Sequence, residues 1–178
     1  MVAAIKSELI YTGRAFSLRR DTLSLPDGRM TQLDIIAHVD SVVVLPLDAA
    51  GEVLFVRQYR HAARCDLLEL PAGVFDTGET AEDCARRELR EETGMAAGHL
   101  LPLGGFFLAP GYSSEYMHAF LATDLRPDPL QADEDEFLRV EKVPLGEVFT
   151  RIARGDLPDA KSLAALLLAR RVLEGEGV

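Results

Sequence analysis

At 178 residues and 48% hydrophobic composition the chain suffices for one domain with a sizeable core, and no composition shift or Ser/Pro-rich linker marks a second. A formal net charge of -10 argues against a duplex nucleic acid as partner, because that affinity comes largely from Lys and Arg on phosphates. No apolar run approaches the roughly 18 residues of a membrane span, the start lacks a secretory pattern, and two cysteines are too few for a disulfide framework or zinc site. These features predict a soluble cytoplasmic protein, with Cys65 and Cys84 as buried free thiols.

The first forty residues read as β structure. Phe16, Leu18, Leu23 and Leu25 alternate with polar residues, Pro26-Asp-Gly28 supplies a turn, and Leu33, Ile35, Ala37 and Val39 resume the period of two. The pattern predicts a β-hairpin with more apolar surface than a free edge should carry, and such edges are usually covered. Ser41-Val-Val-Val-Leu-Pro-Leu47 is a short apolar run typical of a strand buried on both faces, and Asp48-Ala-Ala-Gly51-Glu52 turns it into Val53–Arg57. Both are expected as central strands.

Arg57-Gln-Tyr-Arg60-His61-Ala-Ala-Arg64 is the densest basic segment of this acidic chain. Arginine forks match phosphate oxygens two at a time, but Arg57 and Arg64 also fit ordinary surface charges. Leu70-Pro-Ala-Gly73 and Asp76-Thr-Gly78 then make a tight loop ahead of a helix, with Thr80 and Asp83 as a capping-box variant at one end and Gly94 as the left-handed cap at the other. Glu88, Glu91 and Glu92 share one edge of that helix, since at about 100° per residue Glu91 and Glu92 lie roughly 60° and 40° to either side of Glu88. Like charges at helical spacing repel. The crowding suits either a solvated face neutralised by Arg87 and Arg90, or a hard divalent cation, which takes oxygen ligands.

From Gly73, five residues lead to Glu79, seven to Arg87-Glu88-Leu89, one to Glu91-Glu92 and one to Gly94-Met95. This spacing resembles the Nudix hydrolase signature at every fixed position. The resemblance implies Mg2+ or Mn2+ held by Glu88, Glu91, Glu92 and the Ala72 carbonyl, with Arg87 steadying Glu79 through a salt bridge. Gln-Tyr-Arg60, Glu69-Leu-Pro-Ala-Gly73 and Pro110, fifteen residues beyond Met95, resemble the ADP-ribose pyrophosphatase subgroup, in which the equivalent of Arg60 contacts the substrate's pyrophosphate. Glu69 would hold Arg60, position substrate, or form a buried ion pair. Pro110 and Glu115, in the turn Ala109-Pro-Gly-Tyr-Ser-Ser-Glu115, complete the implied substrate-binding set.

After the helix, Leu100–Leu108 and Tyr116–Thr123 read as strands on either side of that turn. Ala132-Asp-Glu-Asp-Glu136 is an acidic loop of the kind solvation usually explains; in the subgroup a Glu from this loop activates or orients water, which favours Glu136, with Glu134 as runner-up. Phe137–Val140 alternates as a strand. Leu145–Ile152 predicts a short helix, and Asp159 caps a longer one whose stripe of Leu163, Leu166, Leu167 and Val172 packs the core.

This order predicts an α/β fold, a mixed sheet covered by helices on both faces in an α/β/α sandwich with an N-terminal β-hairpin extension. It is expected to be a single Nudix domain over residues 1–178, with residues 1–40 used to form a homodimer. The resemblance implies metal-dependent hydrolysis of a nucleoside diphosphate sugar, with ADP-ribose giving AMP and ribose 5-phosphate. In several relatives Trp residues from the N-terminal strands sandwich the adenine, whereas this chain has none, and Ala15 and Leu33 stand at the aligned positions. That departure leaves base selectivity open, with GDP-mannose as a rival and Phe16 or Tyr11 as stacking residues. A nucleotide-sensing Nudix binding module is the alternative of another class, and an isoprenoid diphosphate isomerase a third; the intact signature speaks against the module, Pro110 and Arg60 against the isomerase.

Overall fold

The computed structural model describes residues 3–131 and 137–175. They fall into two compact units, one formed by the described residues up to Asp40 with Phe106–Tyr116, the other by Ser41–Gly105 with the described residues from Met117 onward.

In the first unit, β1 (Ala3–Thr12), β2 (Ser17–Ser24) and β3 (Met30–Ala37) form an antiparallel sheet in that order. The expected hairpin is β2–β3, paired from Ser17 opposite Ala37 to Ser24 opposite Met30. Its turn is closed by the Gly28 N–H donating to the Leu25 carbonyl at 2.9 Å, with Gly28 at φ 84°, where only glycine is unstrained. β1 adds a third strand, interrupted by register shifts between Ala4 and Lys6 and between Leu9 and Tyr11. Such bulges break strict alternation, so β1 carries little of the period-two signal from which strands are read. The Ala109–Glu115 turn is fastened to β3: the Ile36 N–H donates to the Tyr112 carbonyl at 2.8 Å, and the Ser114 N–H to the Ile36 carbonyl at 3.0 Å.

The second unit has two sheets and three helices. β4 (Ser41–Pro46), β7 (Ala72–Val74), β8 (Met95–Phe107) and β9 (Tyr116–Pro127) form a mixed sheet ordered β7-β4-β9-β8, with β4 parallel to β9 and antiparallel to β7. β5 (Glu52–Arg60), β6 (Cys65–Glu69) and β10 (Arg139–Pro144) form the second, ordered β10-β5-β6. β4 and β5 are the central strands that their apolar runs predict. Val42 and Val44 face the helix α1 (Ala81–Thr93) in one cluster with Cys84, Ala85, Leu89, Ala97, Phe120 and Ala122. Val43 and Leu45, equally buried, point by alternation to the opposite face. The fold is of the α/β class.

α2 (Leu145–Arg154) packs on β10 and α3 (Ala160–Leu173) on β4. The stripe on α3 differs from its expected membership. Leu166 is buried, but so are Ser162, Ala165 and Ala169, while Leu167 is 68% exposed. Small residues allow the helix to sit close to the sheet, and Leu167 falls on the outer side of that contact. Cys84 is buried as expected; Cys65, on the outer strand β6, is exposed, and both thiols are free. No helix among the described residues is long and apolar enough to cross a membrane.

Candidate active site

α1 is fixed at both ends by its own sequence. The Thr80 side chain accepts from the Asp83 N–H at 3.2 Å, and Gly94, at φ 71°, donates its N–H to the Arg90 carbonyl at 3.0 Å. Between these caps the acidic edge turns inward, and Glu88 and Glu92 are only 8% and 7% exposed. A carboxylate is not buried this far without partners, because desolvation of the charge is costly.

The partners come from the segment ahead of the helix. β7 pairs with β4 so that Ala72 lies opposite Val43 and Gly73 opposite Val42. There the Ala72 N–H donates to Glu92 Oε2 at 3.1 Å. Glu88 lies against Gly73 so closely that a Cβ on residue 73 would stand 1.9 Å from its Oε1. The absence of a side chain at residue 73 lets a backbone strand approach a carboxylate.

Arg87 organises the remaining acids. Its Nε and Nη2 donate to the two oxygens of Glu79, each at 2.9 Å, and Nη1 to Glu88 at 2.6 Å and Glu91 at 2.9 Å, while Nη2 also reaches the Val74 carbonyl at 3.0 Å. The hydrogen bonds from Arg87 hold the Glu79 carboxyl down to about 2. Burial pushes the neighbouring Cys84 thiol far up, so it is an inert packing group. A single guanidinium therefore serves three carboxylates, and the charge along this edge stays strongly negative. Among the described residues, no three His, Cys, Asp or Glu side chains close into a cluster able to hold a metal ion.

A second polar group flanks the first. Arg60, at the end of β5, forks onto Glu69, at the end of β6, with Nε to Oε1 at 2.8 Å and Nη2 to Oε2 at 2.7 Å. The Glu69 side chain is 2% exposed, and Lys161 from α3 also donates to its Oε2. Burial alone would raise the Glu69 carboxyl, yet the Arg60 and Lys161 contacts outweigh it and hold the group below the usual carboxylate range. The Arg60 guanidinium is held above its ordinary value, chiefly by the Glu69 hydrogen bond, with Glu92 and Asp159 adding to it through space. Arg60 therefore lies within electrostatic reach of the α1 edge. Its two basic neighbours do other work: Arg57 donates to Glu141 Oε2 at 2.9 Å across the β5–β10 pair, and Arg64, at φ 58°, closes the β5–β6 turn.

A model of the NUDIX domain matches residues 37–166. The chain belongs to the Nudix family. Its relatives include the ADP-ribose pyrophosphatase of Bacillus subtilis, 34% identical, with 91% of this chain and 89% of that protein covered, and that of Mycobacterium tuberculosis, 35% identical over 96% and 84%. The fold superposes on a crystal structure of an ADP compounds hydrolase with a TM-score of 0.89, at 27% identity, covering 99% of this chain and 96% of that one.

In this Nudix protein the signature from Gly73 to Met95 spans β7, its following loop and α1. Ala72, Glu88 and Glu92 are brought together, and Glu91 joins Glu88 through Arg87. Arg60 and Glu69 form the ion pair that was one of the readings open to them. Pro110 and Glu115 belong to the first unit, where Pro110 is exposed and a Glu115 carboxylate oxygen lies 4.0 Å from His38 Nδ1. Glu134 and Glu136 lie outside the described residues. Lys161, Asp159 and Ser162 were not foreseen at this site. Lys161 lies 92 residues along the chain from Glu69, and neither spacing nor periodicity links such a pair. A lysine placed two residues after a helix cap, where the macrodipole disfavours a cation, is the local anomaly that could have signalled an acidic partner elsewhere.

Proposed function

We propose that this Nudix protein is a divalent-metal-dependent pyrophosphohydrolase of nucleoside diphosphate sugars, with ADP-ribose cleaved to AMP and ribose 5-phosphate. The observation that carries this reading is the pair of buried carboxylates, Glu88 and Glu92, drawn against the Ala72–Gly73 backbone with the Arg60 guanidinium in reach. The names of the similar proteins support the substrate class.

The donor set fits a hard cation. Every candidate ligand is an oxygen, the carboxylates of Glu88, Glu91 and Glu92 with the Ala72 carbonyl, and Glu88 Oε1 lies against the backbone where a Cβ on residue 73 would stand. Mg2+ or Mn2+ held there would neutralise charge on the phosphoryl oxygens and make water more acidic. The chain's own residues do the rest. Arg60 uses Nε and one Nη2 hydrogen on Glu69, which presents its remaining N–H groups, on the other edge of the guanidinium, to the pyrophosphate. Arg87 ties the carboxylates of Glu79, Glu88 and Glu91 in place. Glu136, with Glu134 as runner-up, takes the proton of the attacking water, and Pro110 and Glu115 shape the sugar-nucleotide site. The N-terminal strands make a homodimer and lend Tyr11 or Phe16 to the base. We place the protein in the cytoplasm, where the free thiols of Cys65 and Cys84 stay reduced.

The test is a panel of ADP-ribose, GDP-mannose, diadenosine polyphosphates and flavin dinucleotide, each assayed with Mg2+ and with Mn2+ for phosphate esters released. ADP-ribose is expected to give the highest kcat/KM, and excess chelator to abolish turnover. Higher kcat/KM on GDP-mannose would overturn the base assignment. Full turnover in chelator would overturn the metal mechanism.

A further inference from the structure

The first turn of α3 is wired to the residues that aim Arg60. Asp159 caps the helix by accepting from the Ser162 N–H at 3.1 Å and from the Ser162 hydroxyl at 2.5 Å. The Ser162 oxygen in turn accepts the Leu70 N–H at 2.7 Å, next to Glu69. Lys161, in the same turn, donates to Glu69 Oε2 and lies 3.0 Å from Asp159 Oδ2, with its side chain 12% exposed.

A buried carboxylate that already has a bidentate arginine does not need a second cation to be satisfied. The need for one appears when charge is counted. Arg60, Glu69 and Asp159 together sum to a net negative charge, and an anionic diphosphate approaching Arg60 would meet two carboxylates behind one guanidinium. Lys161 brings the four groups to neutrality. It also holds Glu69 Oε2, the oxygen that Arg60 Nη2 shares. Both effects act on substrate through Arg60, since Lys161 is largely enclosed between Glu69 and Asp159.

We propose that Lys161 is a positioning residue for pyrophosphate binding: it shares the Glu69 carboxylate with Arg60, so that the guanidinium is held in one orientation and keeps its positive character toward the substrate. This rests on the reading of Arg60 as the pyrophosphate clamp. It gives the C-terminal helix a part in substrate affinity as well as in the core.

The experiment is a steady-state comparison of wild type, Lys161→Met, Lys161→Gln, Lys161→Arg, Arg60→Ala and the Arg60→Ala/Lys161→Met double variant. Each is assayed with the sugar nucleotide that the wild type turns over best, and its fold is checked by thermal melting. Lys161→Met is expected to raise KM about tenfold, the scale of a lost charged hydrogen bond, with kcat and the metal concentration for half-maximal rate nearly unmoved. Lys161→Arg should recover most of the loss. In the double variant KM should be no higher than in Arg60→Ala, because a residue acting through Arg60 has nothing left to act on. A merely structural lysine predicts the opposite, losses that add and a fall in kcat that follows melting temperature. Unchanged KM in a folded Lys161→Met, or additive losses in the double variant, would overturn the proposal. If Lys161→Met does not fold, Lys161→Gln is judged by the same criteria, and failure of both to fold would assign Lys161 to stability alone. A wild type that turns over nothing in the panel would remove the clamp reading itself and this inference with it; an active wild type with an unmoved Lys161 variant removes only the positioning role.

Discussion

Gly73 acts through the side chain it lacks. Its Cα hydrogen leaves room for the Glu88 carboxylate, and Gly73→Ala would place a methyl 1.9 Å from Glu88 Oε1 and 2.0 Å from its Cδ. Either Glu88 swings away or β7 lifts from β4, and overpacking of this kind typically costs about 1–3 kcal/mol. The expected outcome is a folded protein with kcat/KM at least about tenfold lower and half-maximal activity at higher Mg2+, since one proposed ligand is displaced. A metal titration of the rate decides it; an unshifted midpoint would mean that Glu88 does not hold the ion. The sequence marked Gly73 only in part: a glycine-bearing loop ahead of an acidic helix lets backbone come close to whatever the helix holds, and the structure sets it against Glu88 itself. The partner of Arg60 was among the readings open in the sequence; those of its neighbours were not. Arg57 and Arg64 read as surface charges in one dimension, and strand pairing sends Arg57 to Glu141 and Arg64 into a turn.

At the scale of elements, caps and periods identified α1, β4 and β5, whose signals are local: Thr80 and Gly94 for the helix, unbroken apolar runs for the strands. β6 and β7 escaped, because they are too short to show a period and the β7 residues lie in a stretch that reads as a loop. The inward side of α3 was misread at Leu167, since close packing of Ala165 and Ala169 decides that face and hydrophobicity alone does not. Between α2 and the β10-β5-β6 sheet, Glu141 joins two arginines, accepting from Arg151 at 2.6 Å on one oxygen and from Arg57 on the other. The Arg151 hydrogen bond first, then that of Arg57, holds its carboxyl below the ordinary 4.5. A depressed carboxylate contributes stability that is complete above the unfolded value and is lost as pH falls through the folded one. Glu141→Gln is therefore expected to lower the melting temperature at neutral pH, through a stability loss of about 1 kcal/mol or less because the pair is partly solvated. The gap to wild type should close as pH drops below the ordinary value of 4.5. Melting curves across that range test the sign; a gap that widens on acidification would show that the carboxylate is not stabilised by its arginines.

For the molecule as a whole, the signature and the carboxylates of α1 belong to one compact unit and the N-terminal strands to the other. The latter expose Ile5 at 61%, Leu9 at 68%, Ile10 at 48% and Tyr11 at 58%, more apolar surface than a sheet left facing water should carry. If these strands pair two chains and lend base-binding groups across the interface, each active site needs the strands of one subunit and the signature of the other. Two variants then follow: Tyr11→Ser with Phe16→Ser removes the stacking groups and leaves the signature intact, and Glu92→Gln does the reverse. Each alone should be nearly inactive. After subunit exchange, half of the dimers are mixed and each of those has one complete site of two, so roughly a quarter of wild-type activity should return. Return of activity cannot come from sites built within single chains, because every chain in the mixture carries one lesion. A mixture no more active than its parts, or a chain that sediments as a monomer at micromolar concentration, would place base recognition within one subunit and leave the exposed β1 surface without a role in catalysis.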